Sequence, residues 1–288
     1  MCDQHDMNEF ARRAADVSRR QFGALAVGSG LAMMLPPLAN AADLADADVE
    51  IKTPDGSADA YFVHPKQGKH AAVLMWPDIY GLRPAFKEMA RRLAQSGYSV
   101  LVMNPFYRIK KAPTAPEHPN FDDPATRDAL MGLMHSLTPI TAMTDAKAFV
   151  TWLDAQPAVD RKKKMGATGY CMGGPLTLRT AAAVPDRVGA GASFHGGGLV
   201  TGKPDSPDLL IPGIKAHFLF AIAENDDQRQ PEAKTVLREA FAKADLPAEI
   251  EVYPAQHGWC PPDHPAYNQT QAEKAWSRML VLLKTALA

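Results

Sequence analysis

The chain has 288 residues, 46% of them hydrophobic, and a net charge of −1. That length can bury a large core within one α/β domain, and the balanced charge, with no basic stripe, argues against a nucleic-acid partner. Three cysteines (Cys2, Cys171 and Cys260) make no disulfide framework, and no Cys-x-x-Cys suggests a zinc or thioredoxin-like pair.

The first forty residues read as an export signal. Ser18-Arg19-Arg20-Gln21-Phe22-Gly23 resembles the twin-arginine motif, an uncharged stretch runs from Phe22 to Leu35, and Ala39-Asn40-Ala41 supplies an A-x-A cleavage site. The apolar stretch is too short to make a stable membrane anchor. The division expected is a cleaved signal over 1–41 and a single domain over 42–288. The twin-arginine machinery is the implied partner of the precursor and the periplasm its destination. Export would leave thiols exposed to oxidation there.

The mature chain alternates strands and helices. Val49–Thr53 and Ala60–Val63 flank the turn Pro54-Asp55-Gly56-Ser57 and predict an edge hairpin. Ala71–Trp76 is a continuous apolar run, as a strand buried on both faces requires. A helix over Pro84–Gln95 and a strand over Tyr98–Met103 follow. Asn104–Pro124 is irregular, and loops this long are usually functional, so it is expected to wall the substrate pocket. Helices are predicted near Ala125–Leu137 and Ile140–Ala155. Met165–Thr168 is a strand, Pro175–Val184 a helix, and Val188–Phe194 a strand ending in His195-Gly196-Gly197-Gly198. Strand Ala216–Ala223, helix Pro231–Ala244, strand Glu249–Tyr253 and a helix from Ala266 onward complete the chain. This pattern predicts an α/β fold, a mainly parallel sheet covered on both faces, with function at the carboxyl ends of the strands.

Gly169-Tyr170-Cys171-Met172-Gly173-Gly174 sits where a strand turns sharply into a helix, with glycines two residues either side of a nucleophile. That is a nucleophile elbow, here carrying cysteine. The tight turn leaves no room for side chains at the flanking positions, and the helix N-terminus favours a thiolate and an oxyanion. Later strand ends carry an acid, Asp226 or Asp227, and then a base, His257. Nucleophile, acid and histidine in that order suit acyl transfer: the imidazole takes and returns the proton, and a carboxylate fixes its tautomer and charge.

With these motifs in place, the chain resembles the dienelactone hydrolase family, of α/β-hydrolase fold with a cysteine nucleophile. The matching pieces are Pro77-Asp78-Ile79-Tyr80-Gly81, Asn104-Pro105-Phe106-Tyr107-Arg108, the elbow, Glu224-Asn225-Asp226-Asp227 and His257-Gly258. The resemblance implies Cys171 as nucleophile, Asp226 as acid and His257 as base, with the backbone N–H groups of Ile79 and Met172 as oxyanion hole. Asp78 stands where the family has a glutamate that touches the resting thiol. Arg108 matches one of two arginines that hold a substrate carboxylate; the other position is Pro261. Tyr107, His195 and Trp259 suggest a more aromatic pocket. The implied activity is cysteine-dependent hydrolysis of a small ester or lactone, with no metal or organic cofactor. The competing reading is a non-catalytic or redox-gated binding protein on the same scaffold, silenced by a Cys171–Cys260 disulfide.

Overall fold

The computed structural model describes residues 35–36, 41–117 and 119–288. The export signal expected over 1–41 lies almost wholly outside the described residues, as does Cys2. The strands are β1 (Leu44–Thr53), β2 (Gly56–Pro65), β3 (Ala72–Trp76), β4 (Ser99–Met103), β5 (Met165–Tyr170), β6 (Val188–Phe194), β7 (His217–Ala223) and β8 (Ala248–Tyr253). They form one sheet in the order β1-β2-β4-β3-β5-β6-β7-β8. β1 pairs antiparallel with β2, and β2 antiparallel with β4; every other pairing is parallel. This is the α/β-hydrolase architecture. The hairpin is at the sheet edge as its turn predicts, but both arms are longer than the alternating segments, because pairing continues from Thr53–Gly56 out to Leu44–Pro65.

The helices are α1 (Pro84–Gln95), α2 (Pro124–Met134), α3 (Pro139–Asp154), α4 (Gly173–Ala183), α5 (Glu224–Arg229), α6 (Ala233–Lys243) and α7 (Gln269–Ala286), with a 3-10 turn at Pro207–Gly213. Prolines open α1, α2 and α3, where the missing N–H costs nothing, and Asp123 and Thr138 cap α2 and α3. Both faces of the sheet are covered. On one, Trp76 meets Phe149 of α3 and donates its indole N–H to Thr180 of α4 at 2.9 Å. On the other, Gly166 lies under Leu283 of α7, beside Val73. Every residue of β3, β4, β5 and β6 is buried, which is why these segments read as unbroken apolar or small-residue runs. Among the described residues no helix is long and apolar enough to cross a membrane.

Sequence neighbours part company at β3. From there the chain turns one way to β4 and the other way to β5. In open α/β sheets that reversal opens a crevice above the strand ends. Asp78 follows β3 and Cys171 follows β5, so the two face each other across it.

Candidate active site

The elbow is built by close approach. A Cβ placed on Gly169 would sit 2.0 Å from the Gly173 carbonyl oxygen, and one on Gly173 would sit 2.4 Å from that of Trp76. No side chain fits either place. Between them Cys171 adopts φ 53°, a left-handed conformation that non-glycine residues hold only under tertiary constraint. The constraint is visible: the Cys171 N–H donates to the Phe194 carbonyl at 3.0 Å and to Nδ1 of His195 at 3.2 Å, while its carbonyl accepts from Gly174.

His257 follows β8. Its Nδ1 lies 2.6 Å from Oδ2 of Asp226, and its backbone N–H donates to the Asn225 side chain at 2.8 Å. The Cys171 thiol is the other group that acts on this ring, and with Nδ1 engaged by Asp226 the nitrogen left to face it is Nε2. Burial opposes charge on this imidazole. Asp226 and Cys171, each through a hydrogen bond and charge attraction, outweigh it and raise His257 to about 10. Asp226 and Cys171 are thus the two groups that favour the charged form of His257. Asp227 points elsewhere, closing on Lys234 at 2.6 and 2.7 Å. Of the two acids left open by the sequence, Asp226 is the one at the histidine. The strand end that carries it is the short helix α5 rather than a plain loop.

The Asp78 turn frees one amide beside the site. Asp78 accepts from the Tyr80 N–H through its side chain and from the Gly81 N–H through its carbonyl, both at 2.9 Å. Ile79, between them, is left with no protein acceptor among the described residues, and so is Met172 at the start of α4. Two free N–H groups therefore flank Cys171 in sequence and across the crevice.

Other expected site residues sit differently. Asp78 makes no hydrogen bond to the thiol. Its carboxylate is taken by the Arg83 fork, at 2.6 and 2.9 Å, and the same guanidinium grips Asp263 at 2.6 and 2.9 Å. Arg83 also lies over the Phe86 and Tyr80 rings. Arg108 and Tyr107 are part of the support for the edge hairpin, not the pocket wall. Arg108 binds both oxygens of fully buried Asp145 at 2.7 Å and grips Asp55 in the hairpin turn. The Tyr107 hydroxyl donates to Asp145 and meets Thr53. With four of its five N–H donors taken, this guanidinium has no free fork to offer a substrate carboxylate.

His195 and Trp259 are beneath the site, fully buried, rather than lining an aromatic pocket. The His195 ring packs against His257 at 5.2 Å and Trp259 at 5.9 Å, and Trp259 stacks on Tyr253 at 4.9 Å. Because Nδ1 accepts from Cys171, the His195 proton sits on Nε2, which has no partner. Burial, then the neighbouring His257 and His264, keep His195 neutral. His264, beside Tyr80 and against Gly258, is held below its ordinary value by burial. Arg83, Asp263, His264 and Asn225 escaped the sequence reading. Only Asn225, next to the expected acid, had a local signal. Both Cys171 and Cys260 are free thiols, and burial pushes the Cys260 thiol well above its ordinary value. No group of three or more metal-ligating side chains occurs among the described residues.

Comparison with known proteins agrees with this fold. Residues 58–287 match the profile described as the Dienelactone hydrolase family. A protein of Escherichia coli strain K12, provisionally named a carboxymethylenebutenolidase, is 29% identical over 234 residues, covering 78% of this chain and 81% of its own length. The carboxymethylenebutenolidase of Rhodococcus opacus is 28% identical over 224 residues, covering 73% and 79%. Among solved structures, a provisionally assigned dienelactone hydrolase from Klebsiella pneumoniae superposes with a TM-score of 0.71 at 22% identity, covering 84% of this chain and 99% of the other.

Proposed function

Since the chain belongs to the dienelactone hydrolase family, and so is a carboxymethylenebutenolidase-like hydrolase, we propose that it cleaves small carboxylic esters or lactones with Cys171 as nucleophile, His257 as base and Asp226 as the acid that orients it. One observation carries this reading. The His257 ring is bonded to the Asp226 carboxylate and is raised by that carboxylate and by Cys171, which stands at an elbow whose flanking positions admit only glycine. A histidine raised to about 10 is an imidazolium at neutral pH, the partner a thiolate nucleophile needs.

The Cys171 thiolate adds to the ester carbonyl, and the carbonyl π electrons move to oxygen. The Ile79 and Met172 N–H groups receive that oxyanion. As the C–O bond breaks, His257 passes its proton to the leaving oxygen, and an acyl thioester remains on Cys171. The neutral imidazole then takes a proton from water as its oxygen attacks the thioester, and the thiolate departs from the second tetrahedral intermediate. Leaving groups that are enolates or phenolates suit this site, because thiolate is itself readily expelled from the first intermediate. Asp226 keeps Nδ1 protonated throughout.

The test is hydrolysis of a 4-nitrophenyl ester by residues 42–288 in reducing buffer, beside Cys171→Ala. Turnover by the wild type and none by the variant is the expected result; an equally active variant removes Cys171 from the reaction. Export to the periplasm through the twin-arginine route is part of the same proposal and rests on Arg19, Arg20 and the Ala39-Asn40-Ala41 site. Cell fractionation of the full chain and of its Arg19→Lys, Arg20→Lys form checks it, with the variant expected to stay in the cytoplasm.

A further inference from the structure

A cavity of about 540 Å³ runs along α4, starting at Met172, the residue after Cys171. Met172, Pro175, Leu176 and Arg179 line it from one side, the positions i, i+3, i+4 and i+7 of a single helix face. Met134 and Leu137 supply the facing apolar wall. The cavity therefore runs from the residue next to the nucleophile, over apolar surface, to a cation.

That cation is unlike the chain's other well-buried arginines. Arg83, Arg92, Arg108 and Arg187 each close on a carboxylate at 2.6 or 2.7 Å. Arg179 gives one hydrogen bond, from Nη2 to the Asp205 backbone carbonyl at 2.8 Å, and no carboxylate among the described residues comes within ion-pairing distance. Burial lowers the Arg179 guanidinium from its ordinary value, and the more distant Asp205 charge offsets this only in part. Exposed Lys203 and Asp205 also line the cavity and cancel each other, so Arg179 leaves the lining net positive. A half-buried guanidinium with unused donors turned to a cavity is a receptor for an anion, and a carboxylate fits its fork.

We propose that this cavity holds the acyl chain of a substrate that carries a second, terminal carboxylate, with Arg179 as its counter-ion. The assignment deepens the ester-hydrolase reading and rests on it. It also names a carboxylate receptor in a chain whose Arg108 is committed to Asp145. The helix supplies a ruler. Seven residues separate Met172 from Arg179, about 10 Å of rise, and side chains lean toward the helix N-terminus, which brings the guanidinium nearer. The terminal carboxylate is then separated from the reacting carbonyl by roughly four to six methylene groups. Half-esters of straight-chain dicarboxylic acids have this shape.

Two measurements test it. The first is the ratio of kcat/KM for the mono-4-nitrophenyl esters of adipate and suberate to that for 4-nitrophenyl hexanoate, in wild type, Arg179→Gln and Arg179→Lys. The ratio is expected to favour the half-esters in wild type. It should fall roughly 10- to 100-fold in Arg179→Gln, the worth of one charge-assisted hydrogen bond, mostly through KM, and recover in part with lysine. A ratio unchanged by Arg179→Gln overturns the proposal. The second is calorimetric titration of suberate into the non-hydrolysing Cys171→Ala protein, with and without Arg179→Gln. Binding lost with Arg179 supports the cavity assignment even if no ester is turned over, a result that would remove the hydrolase reading alone. Ester turnover with no suberate binding would remove the cavity assignment and leave the hydrolase standing.

Discussion

Replacing Asp226 by Asn keeps the shape and a hydrogen-bonding oxygen at His257 but takes away the charge. The magnitude follows from the ring's surroundings. His257 is raised from 6.5 to about 10, which at 1.36 kcal/mol per pH unit is roughly 5 kcal/mol in favour of the charged ring. Asp226 and Cys171 together produce that net figure after also offsetting the burial penalty, so on an even division half of it, about 2 to 2.5 kcal/mol, is the least that Asp226 supplies. Asp226→Asn should therefore lower the alkaline limit set by His257 from about 10 and cost about 30-fold or more in kcat/KM. The assay is the pH dependence of Cys171 alkylation by iodoacetamide, read beside the ultraviolet absorbance of the thiolate. Asp227→Asn is the control, because Asp227 is paired with Lys234. If Asp226→Asn titrates like wild type, or Asp227→Asn shifts the limit further, the assignment of the acid is wrong.

Three further outcomes are expected. Gly173→Ala should lower unfolding free energy in urea by about 3 kcal/mol or more, since its Cβ would meet the Trp76 and Pro77 backbone oxygens at 2.4 and 2.7 Å and neither can rotate away. Arg108→Ala should cost roughly 3 to 5 kcal/mol of stability by stranding the buried Asp145 carboxylate, while kcat/KM of the folded fraction for 4-nitrophenyl esters holds; a selective rise in KM would return Arg108 to the pocket. Stability set by the histidines should peak near pH 6.5. His195 and His264 are lowered in the fold, so their contribution is present above 6.5 and lost as pH falls below it. His257 is raised, so its contribution is complete below 6.5 and lost as pH climbs toward about 10. Urea midpoints measured from acid to alkaline pH check the sign on each side.

Much of the site was legible because the elbow is a local requirement. Strand, glycine, nucleophile, glycine and helix are contiguous, and the steric reasons for Gly169 and Gly173 operate within a few residues or against one neighbouring strand. His257 was legible for a related reason, since parallel strands in alternation with helices deliver their carboxyl ends to one edge of the sheet. The acid needed the fold. Asp226 and Asp227 are equivalent in sequence, and what separates them is Lys234, two turns further on and outside the motif. Arg108 was misplaced because its partner Asp145 lies in the middle of a helix, where nothing in the sequence marks a buried carboxylate. Arg83 was missed for the same reason: Asp263 is 180 residues away. The cation of the α4 cavity gave no signal, as an arginine seven residues after the elbow reads as an ordinary helix surface residue.

The Arg83 bridge has a consequence for how this scaffold can be altered. One guanidinium ties the loop that presents the Ile79 amide to the loop that presents His257. Those loops come from strands on opposite sides of Cys171, so the arginine sets the width of the crevice much as a keystone sets the span of an arch. Loop grafting between homologues would have to carry Asp78, Arg83 and Asp263 together. A graft of either loop alone brings in a foreign partner, leaves a carboxylate or the guanidinium uncompensated, and shifts donor and base relative to each other although neither has been mutated.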